Sequence, residues 1–269
     1  MPFNEYRVCR LEQNSFSQFY DKKESDSAQK AKAYHPLGRK LPYDQLQFME
    51  IAMDSGEVRR ISKEMGVGLT SFFSALLMRS MYKDMPALMR KVPITASIPV
   101  NLRKYYPSET ARNFFNSIHV SCILKEGEAL ESIARSIDDE LKENMKPERI
   151  ARQMDSYQKL ERLFFIRMVP LILKQPVVRY FSKQENKRVS FVISNMGEIR
   201  IDDRLRPYVD GITAFCAHSE MFFTIYSYNG RLKIGVSSAY SDTRVIKNFV
   251  RSLTDMGLEI CVNATEVIR

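Results

Sequence analysis

Residues 94–124 read ITASIPVNLRKYYPSETARNFFNSIHVSCIL, and the fold turns on how this stretch is parsed. Ile94, Ala96, Ile98 and Val100 alternate with Thr95, Ser97 and Pro99. Further on, Ile118, Val120, Cys122 and Leu124 alternate with Ser117, His119, Ser121 and Ile123. A period of two belongs to a strand with one face buried, so the stretch is strand, loop, strand. The loop between carries Asn101, Arg103, Lys104, Pro107, Ser108, Arg112 and Asn113. Two ordered strands thus hold a cluster of donors at one rim of a sheet, where a ligand or another piece of protein is usually served.

Upstream, Leu46–Met53 (LQFMEIAM) reads as a strand. Asp54 or Ser55 then caps a helix with Val58, Ile61 and Met65 on one face and Gly66 at its end. Thr70 is expected to cap a second helix over Phe72–Tyr82, apolar around most of its circumference and therefore buried. Before these, Ala33–Pro42 is turn-rich, Asp21–Lys32 is a charged linker, and Met1–Tyr20 is a short helix or an extended arm. The expected division is residues 1–33 as arm and linker and 34–269 as one lobe.

Downstream, Glu128–Met145 is an amphipathic helix with Leu130, Ile133, Ile137 and Leu141 facing one way, acids at its start and lysines at its end. Glu148–Leu173 continues helically, with a kink expected at Pro170. Strands are expected at Val189–Asn195 and Ile212–Ala217, with a surface loop at Asp202–Pro207. Phe222–Tyr228 and Arg231–Val236 flank Asn229-Gly230, the pair that a type I′ hairpin turn requires. Asp242 or Thr243 caps a closing helix with Ile246, Phe249, Val250 and Leu253 inward. The fold class is α/β (α+β): a mixed, largely antiparallel sheet covered by helices.

Length and composition narrow the function classes. A chain of 269 residues with 44% hydrophobic and 27% charged content can bury a sizeable core. The net charge of +9 is spread along the chain without a basic block, which argues against a nucleic-acid partner and suits a phosphate-bearing ligand equally well. Cys9, Cys122, Cys216 and Cys261 lie far apart, so neither a disulfide framework nor a zinc ribbon is indicated, and a reduced cytoplasmic setting is expected. MPFNEYRVCRL has no apolar core of a signal peptide. The apolar span Leu163–Phe181 is cut by Arg167, Pro170, Lys174, Pro176 and Arg179, so no membrane span is expected.

PVNLRKYYPSETARNFFNSI, with the run Asn113-Phe114-Phe115-Asn116, and SFVISNMGEI further on resemble segments of bacterial alcohol-acetyltransferase-like proteins. These are similar to the chloramphenicol acetyltransferase and condensation-domain superfamily of CoA-dependent acyltransferases. The resemblance covers most of this chain but only the second half of a family member. It implies the C-terminal lobe of the chloramphenicol-acetyltransferase-like two-lobed fold. Members take their catalytic histidine from an HHxxxDG motif in a preceding lobe, and no such motif occurs in this sequence. The resemblance therefore implies an acyltransferase-like lobe that is inactive alone, whose partner is a missing N-terminal catalytic lobe or a second copy. The co-substrate implied is acyl-CoA or another acyl thioester, with no covalently bound cofactor. A non-catalytic binding or partner module derived from such an enzyme is the alternative.

The same resemblance implies roles for particular residues. Arg103 is the candidate lobe-interface arginine, whose planar fork would hold the HHxxxDG aspartate bidentately. Ser194, Asn195 and Asn113 are candidates for the substrate channel, where preorganised donors could stabilise an oxyanion. On residue chemistry alone Arg103 is a solvated strand-end arginine, and Ser194-Asn195 before Gly197 is turn chemistry. No catalytic residue and no metal ligand is assigned. His35 precedes Pro36 in a surface turn, and His119 is structural on the polar face of its strand. His218-Ser219-Glu220 has the residue types of a triad, but neighbours on one strand cannot converge as a triad must. Catalysis with His119 or His218 as base is the remaining, third reading.

Overall fold

The computed structural model describes residues 31–42, 45–110, 113–152 and 171–265. Among them are seven strands: β1 (Gln47–Asp54), β2 (Ile94–Asn101), β3 (Phe115–Cys122), β4 (Phe191–Glu198), β5 (Met221–Tyr228), β6 (Arg231–Ser238) and β7 (Cys261–Ala264). The helices are α1 (Ser55–Glu64), α2 (Leu69–Asp84), α3 (Leu130–Asn144), α4 (Leu171–Asn186) and α5 (Arg244–Thr254). The expected arm and linker fall almost wholly outside the described residues, as does the kink at Pro170.

The strands form one sheet in the order β3-β2-β4-β5-β6-β1-β7. β4 pairs in parallel with both β2 and β5. The pairs β5–β6, β6–β1 and β1–β7 are antiparallel. This is the mixed α/β sheet that the sequence implies. The described chain divides into two compact units. The larger comprises Ala31–Ile98, His119–Leu141 and the residues from Glu185 onward; the smaller includes Pro99–Ile118 and Lys142–Gln184.

The larger unit is built on the hairpin. Tyr228 pairs with Arg231, and both turn residues have positive φ, Asn229 at 48° and Gly230 at 72°, as a type I′ turn demands. Alternate residues of the hairpin and β1, among them Phe223, Ile225, Ile234, Val236, Ile51 and Met53, are fully buried. α2 and α5 supply the opposing surface: the Phe249 ring lies 6.1 Å from both Phe73 and Phe223. Each such phenylalanine contributes about 2–3 kcal/mol of burial. α2 is buried around most of its circumference, as its composition requires.

Caps follow the sequence at one helix and depart from it at the next. Asp54 accepts from the backbone N–H groups of Gly56 and Glu57 and so starts α1; Gly66, at φ +74°, lies just past its end. Thr70, by contrast, lies inside the first turn of α2. The N-cap there is Gly68, which has no side chain, and Asp138 of α3 supplies the acceptor from 70 residues away. Its Oδ1 takes Gly68 N–H at 3.1 Å and Ser71 Oγ at 2.7 Å.

Two strand expectations are corrected. Residues Ile94–Ile98 of β2 are buried on both faces, not one. On the second face Thr95 Oγ1 lies 2.9 Å from Ser121 Oγ, and Thr95 N–H donates to Ser190 Oγ. Residues 212–217 are not a strand. They run over the face of β6, where a side chain at Gly235 would meet the Ala214 carbonyl at 2.0 Å. A segment lying on a sheet face has no ladder to join, and side chains satisfy its backbone instead. Lys233 Nζ donates to Ile212 O, Ser237 Oγ to Cys216 O, and Ala214 N–H donates to the Tyr226 hydroxyl.

In the smaller unit Leu102, Phe114 and Ile150 form a buried cluster against which Tyr105 and Tyr106 pack. Phe114 is thus the anchoring aromatic of the Asn-Phe-Phe-Asn run, while Phe115 is exposed.

Candidate functional site

β4 changes character along its length. Phe191, Val192 and Ile193 are buried, Ser194 is half-buried, and Asn195–Glu198 are exposed. The register with β5 breaks between Asn195 and Gly197, whose φ of +76° a side chain would disfavour. Asn195 spans this bulge. Its Oδ1 accepts from Gly197 N–H at 2.9 Å, and its Nδ2 donates to Thr70 Oγ1 at 3.2 Å. Turn chemistry is therefore part of what Asn195 does, but the amide also ties the end of β4 to the first turn of α2. Bulges of this kind re-aim side chains next to sites. Beyond the bulge β4 borders a polar cleft of about 550 Å³, walled in part by Glu198, Arg200, Arg206 and Tyr228.

The other two residues singled out from the sequence lie in the smaller unit. Arg103 is exposed, and its Nη2 donates to Thr110 O at 2.7 Å while its own N–H donates to Asn101 Oδ1 at 3.0 Å. It closes its own loop. Asn113 is exposed just before β3. The structure thus joins Asn195 to Thr70 and places Arg103 and Asn113 in the other unit.

His218 and His35 both lie beside Glu220. His218 Nδ1 accepts from Glu220 N–H at 3.1 Å, and burial pulls its pKa below the usual histidine value. His35 is not a free surface residue as its turn sequence implies: its Nδ1 lies 3.3 Å from Glu220 Oε2. Glu220 is buried and is the centre of a cluster that sequence reading missed. Lys40 Nζ reaches it at 2.6 Å, and the Tyr240 hydroxyl donates to it. Burial pushes the Glu220 carboxyl up, and the bonds from His35, Lys40 and Tyr240 more than offset it, so the net displacement is downward. A polar residue opening an apolar strand was the available signal, but its partners come from both ends of the chain. Burial also pushes the Cys122 thiol up to about 11, so it is no thiolate nucleophile near neutrality. No group of three or more His, Cys, Asp or Glu that could hold a metal occurs among the described residues.

No family model and no curated protein matches the sequence. Solved structures match the fold. F. sporotrichioides TRI101 in complex with coenzyme A and T-2 has a TM-score of 0.63 at 10% identity, over 96% of this chain and 60% of that one. F. graminearum TRI101 with coenzyme A and T-2 mycotoxin gives 0.57 at 10% identity over the same shares. TRI3 trichothecene 15-O-acetyltransferase from Fusarium sporotrichioides gives 0.55 at 8% identity, over 84% of this chain and 48% of that one. The chain shares the fold of these three structures. It spans about 60% of the length of the TRI101 structures that it matches. Among its described residues no helix is long and apolar enough to cross a membrane.

Proposed function

We propose that this chain forms the channel-lining lobe of an acyltransferase that moves an acyl group from a thioester such as acetyl-CoA to an alcohol or amine. The general base would be a histidine that these 269 residues do not contain. One observation carries the reading: the acyltransferase fold accounts for 96% of this chain and 60% of TRI101, while the sequence has no HHxxxDG. In this reading Ser194 and Asn195, at the end of β4 where the Asn195 amide is held by the Thr70 bond, offer donors to the developing oxyanion, and Asn113 is a substrate-channel residue of the smaller unit. Arg103 holds the aspartate of the base-bearing lobe. That lobe, or a second copy of the chain, is the partner. The thioester is a co-substrate and no cofactor is covalently held. The free Cys122, Cys216 and Cys261 accord with a reducing, cytoplasmic setting.

The test is acetyl transfer from acetyl-CoA to a panel of alcohols and amines. The chain alone is expected to bind CoA without turnover, and addition of a polypeptide bearing HHxxxDG from the same superfamily to restore transfer. Turnover by the chain alone that is lost in His119→Ala or His218→Ala would replace this reading with self-sufficient catalysis. CoA binding that never leads to transfer with any base-bearing lobe would leave a binding module.

A further inference from the structure

In the larger unit α5 packs against α2, and the sheet runs out to its edge strand β7. Between α5 and the β1–β7 pair lies a groove of about 440 Å³, within the range of small-ligand sites. Its body is aliphatic: Ile246 and Val250 on one side, Met49, Val262 and Ala264 on the other. Val262 and Ala264 are exposed, so this floor is open to solvent.

Two further features make the groove more than an uncovered patch. Lys247 and Arg251, one turn apart on α5, are exposed lining residues and make no ion pair among the described residues. No carboxylate is among the described residues of the lining. At the end where β1 begins, Gln47 is only 6% exposed. Its Nε2 donates to Ser241 O, but its Oε1 is buried with no donor. That oxygen is out of a ligand's reach, so the amide is a polar stop that bounds the aliphatic floor at this end.

We propose that this groove binds an amphiphilic anion: a medium-length alkyl chain on the aliphatic floor and an acidic head at Lys247 and Arg251. The site is separate from Ser194 and Asn195, and it does not rest on the acyl-transfer reading.

Calorimetric titration of the full chain with decanoate and with decanol tests it. Decanoate is expected to bind, and decanol several-fold more weakly. Lys247→Gln combined with Arg251→Gln should weaken decanoate by about tenfold and abolish its preference over decanol. Ala264→Phe, which fills the groove from an exposed position, should remove binding. If that variant does not fold, the paired substitution on the solvent side of α5 carries the same decision. Absence of binding, or binding unchanged in Ala264→Phe and in the paired variant, overturns the proposal. So does sedimentation showing that the groove is covered by a second copy of the chain, with Ala264→Phe converting a dimer to a monomer.

Discussion

Glu220 shows how one residue can carry a fold's acid sensitivity. It is 4% exposed and bonded to His35, Lys40 and Tyr240, so its charge is held in place from three directions. Its pKa in the fold is depressed, so the unfolded chain takes up its proton at higher pH than the folded one. The stability it contributes is fully present above the usual glutamate value and is lost as pH falls through the lowered folded value. Glu220→Gln keeps the shape but loses the charge-assisted bonds, at a cost of about 2 kcal/mol at pH 7. Urea unfolding between pH 7 and pH 3 should show a steeper acid loss in the wild type than in the variant. Parallel profiles would mean that another carboxylate controls acid unfolding. None of this was legible locally. His218-Ser219-Glu220 invites a triad reading, and only the fold brings in Lys40, 180 residues away in sequence, and Tyr240.

At the level of elements, the legible parts are those whose signals are local. The Asn229-Gly230 turn, the Asp54 cap and the apolar circumference of α2 each state their structure within a few residues, and each formed as read. Residues 212–217 misled because alternation in ITAFCA fits a segment pressed on a sheet face as well as a strand in a ladder. What separates the two cases is Gly235, 21 residues from Ala214, which leaves room for the carbonyl. The short edge strand β7 was missed because CVNA has too few residues for periodicity to register. Ser194 and Asn195 stand out in the sequence only through the resemblance, and Thr70, which holds the Asn195 amide, reads as a cap because its partner lies 125 residues on. Gly235→Ala puts the strap to the test. The added methyl would force residues 212–217 off the sheet and strain their bonds with Lys233, Ser237 and Tyr226, a cost of about 2–3 kcal/mol. Chemical denaturation should show that loss, and hydrogen exchange should show Ala214 N–H unprotected while the β5–β6 amides stay protected. Full protection at Ala214 in the variant would place the strap's stability elsewhere.

For the whole molecule the question is what covers its apolar surface. The larger unit exposes Leu205 at 56%, Tyr208 at 84% and Met196 at 57%, all between the middle of β4 and the start of β5. Isolated exposed leucines are ordinary, but three large apolar side chains within 13 residues of one connection are a candidate interaction surface. The proposed base-bearing lobe, or a second copy, would remove that surface from water, at roughly 25 cal/mol for each Å² buried. Without such a partner the chain is expected to associate with itself. Sedimentation velocity over a rising concentration series should show species larger than the monomer, with the monomer restored when Leu205→Ser and Tyr208→Ser are combined. The substitutions lie on exposed positions, so the thermal midpoint should stay within a few degrees of the wild type. A wild-type chain that remains monomeric across the series would mean that these side chains need no cover. The case for a second lobe would then rest on the absent histidine motif alone.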